Sequence, residues 1–105
     1  MPNWTAKNEL IGHFGVESSK VLIGDPCHLG LFINNDFVGE LPSKVIDRSY
    51  SYSGACSVAY SDKSGGQLGG GRAVVVETGR GDGSYPVFAK RDKDGVIKEL
   101  TIKFF

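Results

Sequence analysis

The chain has few of the features that identify secreted, membrane or metal-binding proteins. Its 105 residues include only two cysteines, Cys27 and Cys56, which are too few for the disulfide framework of a small secreted domain. No apolar run approaches the length that spans a membrane, and residues 1–7 contain no apolar signal segment. We therefore expect a cytoplasmic protein that does not bind membranes, with both thiols reduced and mostly buried.

An excess of charge of either sign is also missing. The chain has twelve basic and twelve acidic residues, so its formal net charge is zero. Because nucleic-acid binding relies on an excess of positive charge, we expect no nucleic acid among the partners. Net neutrality removes repulsion between copies of the chain, which favours a homo-oligomer. No C-x-x-C or H-x-x-x-H spacing is present, so we expect no metal ion and no cofactor.

Glycine and short apolar runs are abundant. Fifteen glycines, together with clusters of Val, Ile, Phe and Tyr between turn residues, are typical of an all-β protein. We predict a single β-rich domain over residues 1–105, built as a small antiparallel barrel or sandwich of six to eight short strands. Pro42 stands near the start of one short helix that residues 40–48 could hold.

Two hairpins are predicted within this domain. Apolar residues 10–16 and 20–23 are separated by Glu17–Ser19, which predicts a first hairpin. Arg72–Thr78 is apolar enough to be a central strand. A glycine loop follows it, which predicts antiparallel pairing with Ser84–Lys90.

Four other segments are assigned from their composition. Residues 27–33 predict a strand or a turn of helix, and residues 55–60 predict a strand. The glycines of residues 65–71 predict a flexible connection between strands. Alternation of apolar and charged residues over 96–105 predicts a last strand with one buried face.

Three segments together resemble a group of small uncharacterised bacterial and phage proteins. The segments are Val21–Cys27, Thr78–Val87 and Asp94–Phe104, which match the group's patterns LIGDPC, TGxGDGxYPV and DGxIxxLxIxF. The resemblance implies a bacterial or phage origin, and it brings no activity that could be transferred to this chain.

The segment from Thr78 to Pro86 is the leading candidate for a binding site. Its three glycines exceed the one or two positive-φ residues that a hairpin turn needs, and an arginine and an aspartate lie between them. We expect this loop to bind a small polar or anionic ligand, or a protein partner. The candidate binding residues are Asp82, Arg80, Gly81, Gly83, Tyr85, Asp25 and Arg72.

Other chemistries are compatible with parts of the sequence. Cys27 could act as a nucleophile with His28 or His13, although a buried Cys27 and an Asp25 that caps the Asp-Pro turn are favoured. Gly65–Arg72 could form an anion-binding nest, although no helix follows it.

Carboxylates offer a further alternative. Asp82 could bind a hard cation together with Asp25, Glu77 and Asp62, although Asp82-Gly83 is also a common hairpin dipeptide. The alternative function is therefore a hydrolase or transferase that uses Asp25 and Asp82, with or without a metal ion. No complete set of nucleophile, base and orienting group can be assembled, so we expect a binding protein rather than an enzyme.

Overall fold

The computed structural model describes residues 7–35, 47–79 and 81–104. Strands dominate this part of the chain, and their bounds are β1 (Glu9–Val16), β2 (Lys20–Gly24), β3 (Gly65–Leu68), β4 (Ala73–Glu77), β5 (Gly83–Arg91) and β6 (Ile97–Ile102). An α-helix, α1, spans Tyr52–Ala59, and a 3₁₀ helix spans Pro26–Leu31. The short helix predicted within residues 40–48 lies outside the described residues, except that Asp47 and Arg48 are described and are not helical.

The strands form two three-stranded antiparallel sheets, one in each of two compact units. The terminal unit consists of the chain up to Ser18 and from Arg80 onward, and its sheet has the order β1-β5-β6. The middle unit is Ser19–Gly79, and its sheet has the order β2-β4-β3. The strand-dominated, antiparallel character is confirmed, and no closed barrel forms within the described ranges. No helix there is long and apolar enough to cross a membrane.

Both predicted hairpins are wrong, although their strands exist. β1 pairs with β5 and β2 pairs with β4, so the first two strands belong to different sheets. β4 and β5 are likewise in different sheets, so the segments on either side of the glycine loop do not pair. Proximity in sequence did not identify the partners, because strand pairing is decided by which apolar faces are buried together. The central position predicted for β4 is confirmed, since it lies between β2 and β3.

The strand predicted over residues 55–60 is replaced by α1. Ser51 has extended backbone angles, and its Oγ accepts a hydrogen bond from the Gly54 N–H at 2.9 Å. A serine in this position satisfies one of the amides that the first helical turn leaves unpaired. Residues Gly54–Ala59 are all buried. The pattern of small side chains in this segment fits a strand and a helix equally well. The helix cap at Ser51 was the sequence signal that distinguishes a helix from a strand here.

The core of the middle unit lies between α1 and one face of its sheet. Val58 and Ala59 of the helix pack with Leu68 and Val75, which are both 0% exposed. Burial of each such aliphatic side chain stabilises the fold by about 1.5–3 kcal/mol. Val74, which points to the opposite face of β4, is 45% exposed. The middle sheet therefore has one helix-covered face, as the period-2 pattern requires.

The turn between β3 and β4 depends on glycine. Gly69, Gly70 and Gly71 have φ angles of 59°, 67° and 103°. Three consecutive left-handed residues are costly for any residue with a Cβ, and glycine adopts them freely. The N–H groups of Gly71 and Arg72 both donate to the Leu68 carbonyl at 3.1 Å. The flexible connection predicted for residues 65–71 is therefore wrong, because this segment is a strand followed by a hydrogen-bonded turn.

Aromatic packing organises the terminal unit. Tyr85 of β5 is 2% exposed, and its ring lies 6.5 Å from that of Phe14 and 5.3 Å from that of Phe104, measured between centroids. The last predicted strand is confirmed as β6, although Ile97 and Leu100 are exposed and burial is limited to its C-terminal end.

Candidate functional site

The glycine loop leaves β4 and enters β5, so it carries the chain from the middle unit into the terminal unit. Gly79 has a φ of 74° and Gly81 a φ of 81°. These are left-handed values that favour glycine. Two of the three glycines are therefore explained by the turns that the chain makes between one sheet and the other. Gly83 has no positive φ and is the first residue of β5. Gly83 is therefore not required by a left-handed backbone conformation.

Hydrogen bonds hold the loop backbone on each side. Before the loop, the N–H of the buried Thr78 donates to the Ser19 carbonyl at 2.9 Å. After it, the Tyr85 hydroxyl donates to the Gly81 carbonyl at 2.7 Å. Because the Tyr85 ring is itself packed between aromatic rings, this second bond fixes Gly81 to a buried side chain. The loop is therefore anchored within each unit to which it belongs.

Two described side chains of the loop are open to solvent. Asp82 and Ser84 are exposed. The described residues provide no hydrogen bond or ion pair to the Asp82 carboxylate. Arg80, the other charged residue predicted for the site, lies outside the described residues. The loop thus combines a bonded backbone with an exposed carboxylate that has no partner in the described chain.

Asp25 has a structural role at the end of β2. Its Oδ1 accepts a hydrogen bond from the Cys27 N–H at 2.9 Å and caps the 3₁₀ helix, with Pro26 at the first position. This backbone hydrogen bond holds the pKa of the Asp25 carboxyl below its ordinary value. The predicted cap of the Asp-Pro turn is confirmed. Asp25 belongs to the middle unit and Asp82 to the terminal unit.

Arg72 does not join the loop. It precedes β4, whereas Thr78 follows it, so the length of the strand, about 20 Å, separates the two residues. The guanidinium Nη1 of Arg72 donates to the Gly69 carbonyl at 2.9 Å. Gly24 pairs with Ala73, which places Asp25 and Arg72 at the same end of the middle sheet. The structure therefore places Arg72 at the same end of the sheet as Asp25 and separates it from Thr78.

The glycine segment before Arg72 is not arranged as an anion-binding nest. The Gly69 N–H donates to the Arg48 carbonyl at 2.7 Å, and the amides of Gly71 and Arg72 both donate to Leu68. An anion nest needs successive amides that point outward and are unpaired. In this turn most of the amides already have backbone acceptors.

Of the predicted carboxylate ligands, Asp82 belongs to the terminal unit, and the others are separated within the middle unit. Lys20 pairs with Glu77 at one end of β2, while Asp25 follows the other end. In the part of the chain that the structure describes, no group of three or more His, Cys, Asp and Glu side chains could hold a metal ion.

The two cysteines have different environments. Cys56 is buried in α1 as predicted, but Cys27 is exposed on the 3₁₀ helix, so its predicted burial is wrong. Both are free thiols. His28 is half-buried, and its Nδ1 is buried with no hydrogen-bond partner in the described chain. His13 lies on β1, in the terminal unit. No hydrogen bond between described residues joins Cys27 to either histidine.

One charged cluster was not anticipated from the sequence. The Lys20 Nζ donates to the Tyr60 hydroxyl at 3.0 Å and lies 5.4 Å from the centre of the Tyr52 ring. Burial lowers the pKa of Lys20, but the hydrogen bond to Tyr60 and the negative potential of neighbouring groups outweigh it, so the pKa is raised. The cluster joins β2 to the helix. Recognising α1 in the sequence would have predicted this cluster, because Tyr52 and Tyr60 are spaced about two helical turns apart and so share one face.

Comparison of the chain with protein-family models, with curated proteins and with solved structures gives no significant match. No activity, ligand or partner is therefore carried over from another protein. The functional interpretation depends on the geometry of the two units.

Proposed function

We propose that this chain is a small cytoplasmic binding protein, of bacterial or phage origin, that holds a protein partner or small polar ligand through the loop 78–86. The observation that supports this most directly is the contrast between the loop backbone and the Asp82 side chain. The backbone is hydrogen-bonded at Thr78 and Gly81, while Asp82 is exposed and unpaired among the described residues. A binding group held on an ordered backbone loses little conformational entropy when it meets its partner.

The chemistry of Asp82 favours one type of binding group on the partner. An ionised carboxylate is an acceptor only, so it is complementary to a lysine, an arginine or another cationic donor. Arg72, which could have attracted an anion, lies at the far end of β4 and is bonded to Gly69. We therefore favour a basic group on the partner over an anionic ligand.

A single exposed ion pair contributes only about 0.2–1 kcal/mol, so Asp82 alone is insufficient for stable binding. Ser84 is exposed close by and offers a hydroxyl that both donates and accepts. The proposed partner therefore contacts the Asp82 carboxylate, the Ser84 hydroxyl and the adjacent backbone together. Asp25 already caps the 3₁₀ helix of its own unit, so the proposal does not extend to catalysis by Asp25 and Asp82.

Isosteric substitution of Asp82 tests this proposal. The Asp82→Asn variant keeps the shape of the side chain and removes its charge. Asp94→Asn is the matched control, because Asp94 is also exposed and also precedes a glycine in a turn. Tagged wild-type and variant chains are used to recover bound proteins from a bacterial cytoplasm, and the recovered proteins are quantified by mass spectrometry.

We expect one partner to be recovered by the wild type and by Asp94→Asn, and to be reduced about twofold to fivefold with Asp82→Asn, as the loss of one exposed ion pair implies. The melting temperatures of the three proteins should agree, because an exposed, unpaired side chain contributes little to stability. Equal recovery by Asp82→Asn would show that the binding site is not in this loop.

A further inference from the structure

The outer edge of β3 carries backbone groups that do not pair with β4. The Glu77 N–H donates to the Ser64 carbonyl at 2.9 Å, just before β3 begins. Hydrogen-bonded positions alternate along an antiparallel pair. Since Ser64 faces β4, Gly66 and Leu68 face it too, and the backbone groups of Gly65 and Gln67 point away from the sheet.

The next outward position supports this alternation. The Gly69 N–H donates to the Arg48 carbonyl at 2.7 Å, on the side of β3 opposite to β4. Among the described residues, the outward groups of Gly65 and Gln67 have no such acceptor or donor. An edge of this type can accept an added strand from another chain.

A basic cleft adjoins the edge. Its volume is about 390 Å³, and the residues that line it are Arg48, Ser61, Asp62, Lys63, Gly65 and Gly66. The Nη1 of Arg48 would lie 3.6 Å from a Cβ added at Gly66, so the guanidinium lies beside β3 at this residue. No described residue forms a hydrogen bond or ion pair with it. The cleft carries two positive charges and one negative charge, and its arginine has no side-chain partner among the described residues.

We propose that β3 binds an acidic peptide segment of a partner protein as an added strand. The peptide backbone would bond to the outward groups of Gly65 and Gln67, and a glutamate or aspartate side chain would pair with Arg48. A guanidinium matches a carboxylate through two parallel hydrogen bonds, which fixes the register of the added strand. The absence of side chains at Gly65 and Gly66 lets the peptide approach closely. This site lies in the middle unit and is independent of Asp82.

The charge requirement is tested with two synthetic peptides. One alternates glutamate and valine over six residues, the other alternates lysine and valine, and both have blocked termini. Each is titrated into the full ¹⁵N-labelled chain. We expect the glutamate peptide to shift the amide signals of Gly65 and Gln67, and the lysine peptide to leave them unchanged. Equal shifts with both peptides, or shifts confined to other residues, would overturn the proposal.

The role of Arg48 is tested by Arg48→Gln, with Arg72→Gln as the matched control. Both arginines are exposed, but the guanidinium of Arg72 is already bonded to Gly69. Affinity for the glutamate peptide should fall about tenfold or more in Arg48→Gln, as expected for a charge-assisted pair, and stay unchanged in Arg72→Gln. Unchanged affinity in Arg48→Gln would overturn the proposal.

The role of the backbone is tested by Gln67→Pro, with Gln67→Ala as its control. Proline removes the outward N–H of Gln67 but none of the hydrogen bonds between β3 and β4. The proline variant should lose peptide binding, and the alanine variant should keep it. Should the proline variant not fold, a peptide with N-methylated valines replaces it, because it cannot donate to the edge. Retained binding in whichever of these experiments is used would show that no strand is added.

Discussion

The middle and terminal sheets have the same number of strands and the same antiparallel pairing, but they bury their apolar faces differently. In the middle unit α1 covers one face, and the core consists mainly of small and aliphatic side chains such as Leu68 and Val75. In the terminal unit no described helix covers the sheet, and Tyr85 packs against two other aromatic rings. Close packing of a helix on a sheet tolerates little added volume.

The glycine loop connects these two differently packed sheets. β4 and β5 are the central strands of the two sheets, and the loop joins one directly to the other. A displacement at either end of the loop would therefore act on a central strand. The substitutions that probe the two units are ordered from the largest expected effect to the smallest.

The largest effect is expected at Gly54 of α1. A Cβ at this position would overlap the carbonyl oxygen of Ser49, whereas a Cβ at Gly12 of β1 meets nothing within 4 Å. We expect Gly54→Val to lower the free energy of unfolding by about 4 kcal/mol or more, because the backbone must move. Gly12→Val should change it by about 0.5 kcal/mol at most, since valine suits a strand.

Urea denaturation of both variants measures this contrast. Similar losses in the two would mean that the middle unit is no more closely packed than the terminal one.

The second prediction compares two leucines. Leu68 of β3 is 0% exposed and lies under α1, whereas Leu100 of β6 is 60% exposed. Leu68→Ala should cost about 2–5 kcal/mol, from lost burial and a residual cavity. Leu100→Ala should cost about 0.5 kcal/mol. Hydrogen exchange of the valine amides in β4 should accelerate in the first variant and not in the second. A comparable loss at Leu100 would reveal that β6 is covered in solution.

The sequence predicted strands better than it predicted their partners. Alternating residues located β1, β2, β4, β5 and β6 to within a few positions, because a period of two is a local property. The pairing of β1 with β5 joins residues about 75 positions apart, which no local pattern specifies. Assignment failed most clearly in the middle unit, where the small residues of α1 resembled a strand and Ser51 was not recognised as its cap.

The candidate site was predictable where it depends on local sequence, and not where it depends on the pairing of distant strands. The Asp-Pro cap at Asp25 is local chemistry, and the structure confirms it. A loop does lie between the two strands predicted to flank it, but two of its glycines serve the passage from one sheet to the other, which depends on the pairing of distant strands. The separation of Arg72 from Thr78 follows from β4 being a straight strand between them. The cluster of Lys20 with Tyr60 required knowledge of α1.

A smaller effect is expected from the tyrosine that anchors the loop. Tyr85→Phe keeps the ring between Phe14 and Phe104 but removes the hydroxyl that donates to Gly81. The loss should be about 1 kcal/mol, the usual net contribution of one hydrogen bond. Amide exchange in Gly81 and Asp82 should accelerate.

The control is Tyr50→Phe in the middle unit, where the hydroxyl of Tyr50 has no hydrogen bond to a described residue. It should destabilise the chain less than Tyr85→Phe. Equal losses would indicate that the ring environment, and not the bond to Gly81, determines the effect.

The smallest effect concerns the pH dependence of the cap at Asp25. The hydrogen bond from Cys27 lowers the pKa of this carboxyl in the folded chain, so the ionised form stabilises the middle unit at pH values above the unfolded pKa of about 3.9. That contribution is lost as the pH falls through the lower, folded pKa. Asp25→Asn can still accept the bond but has no charge. It should therefore be slightly less stable than the wild type at neutral pH, and the difference should vanish in acid. Urea unfolding between neutral pH and acid, with Asp62→Asn as an exposed control, measures this change. A difference that does not vary with pH would mean that the shape of the side chain, rather than its charge, caps the helix.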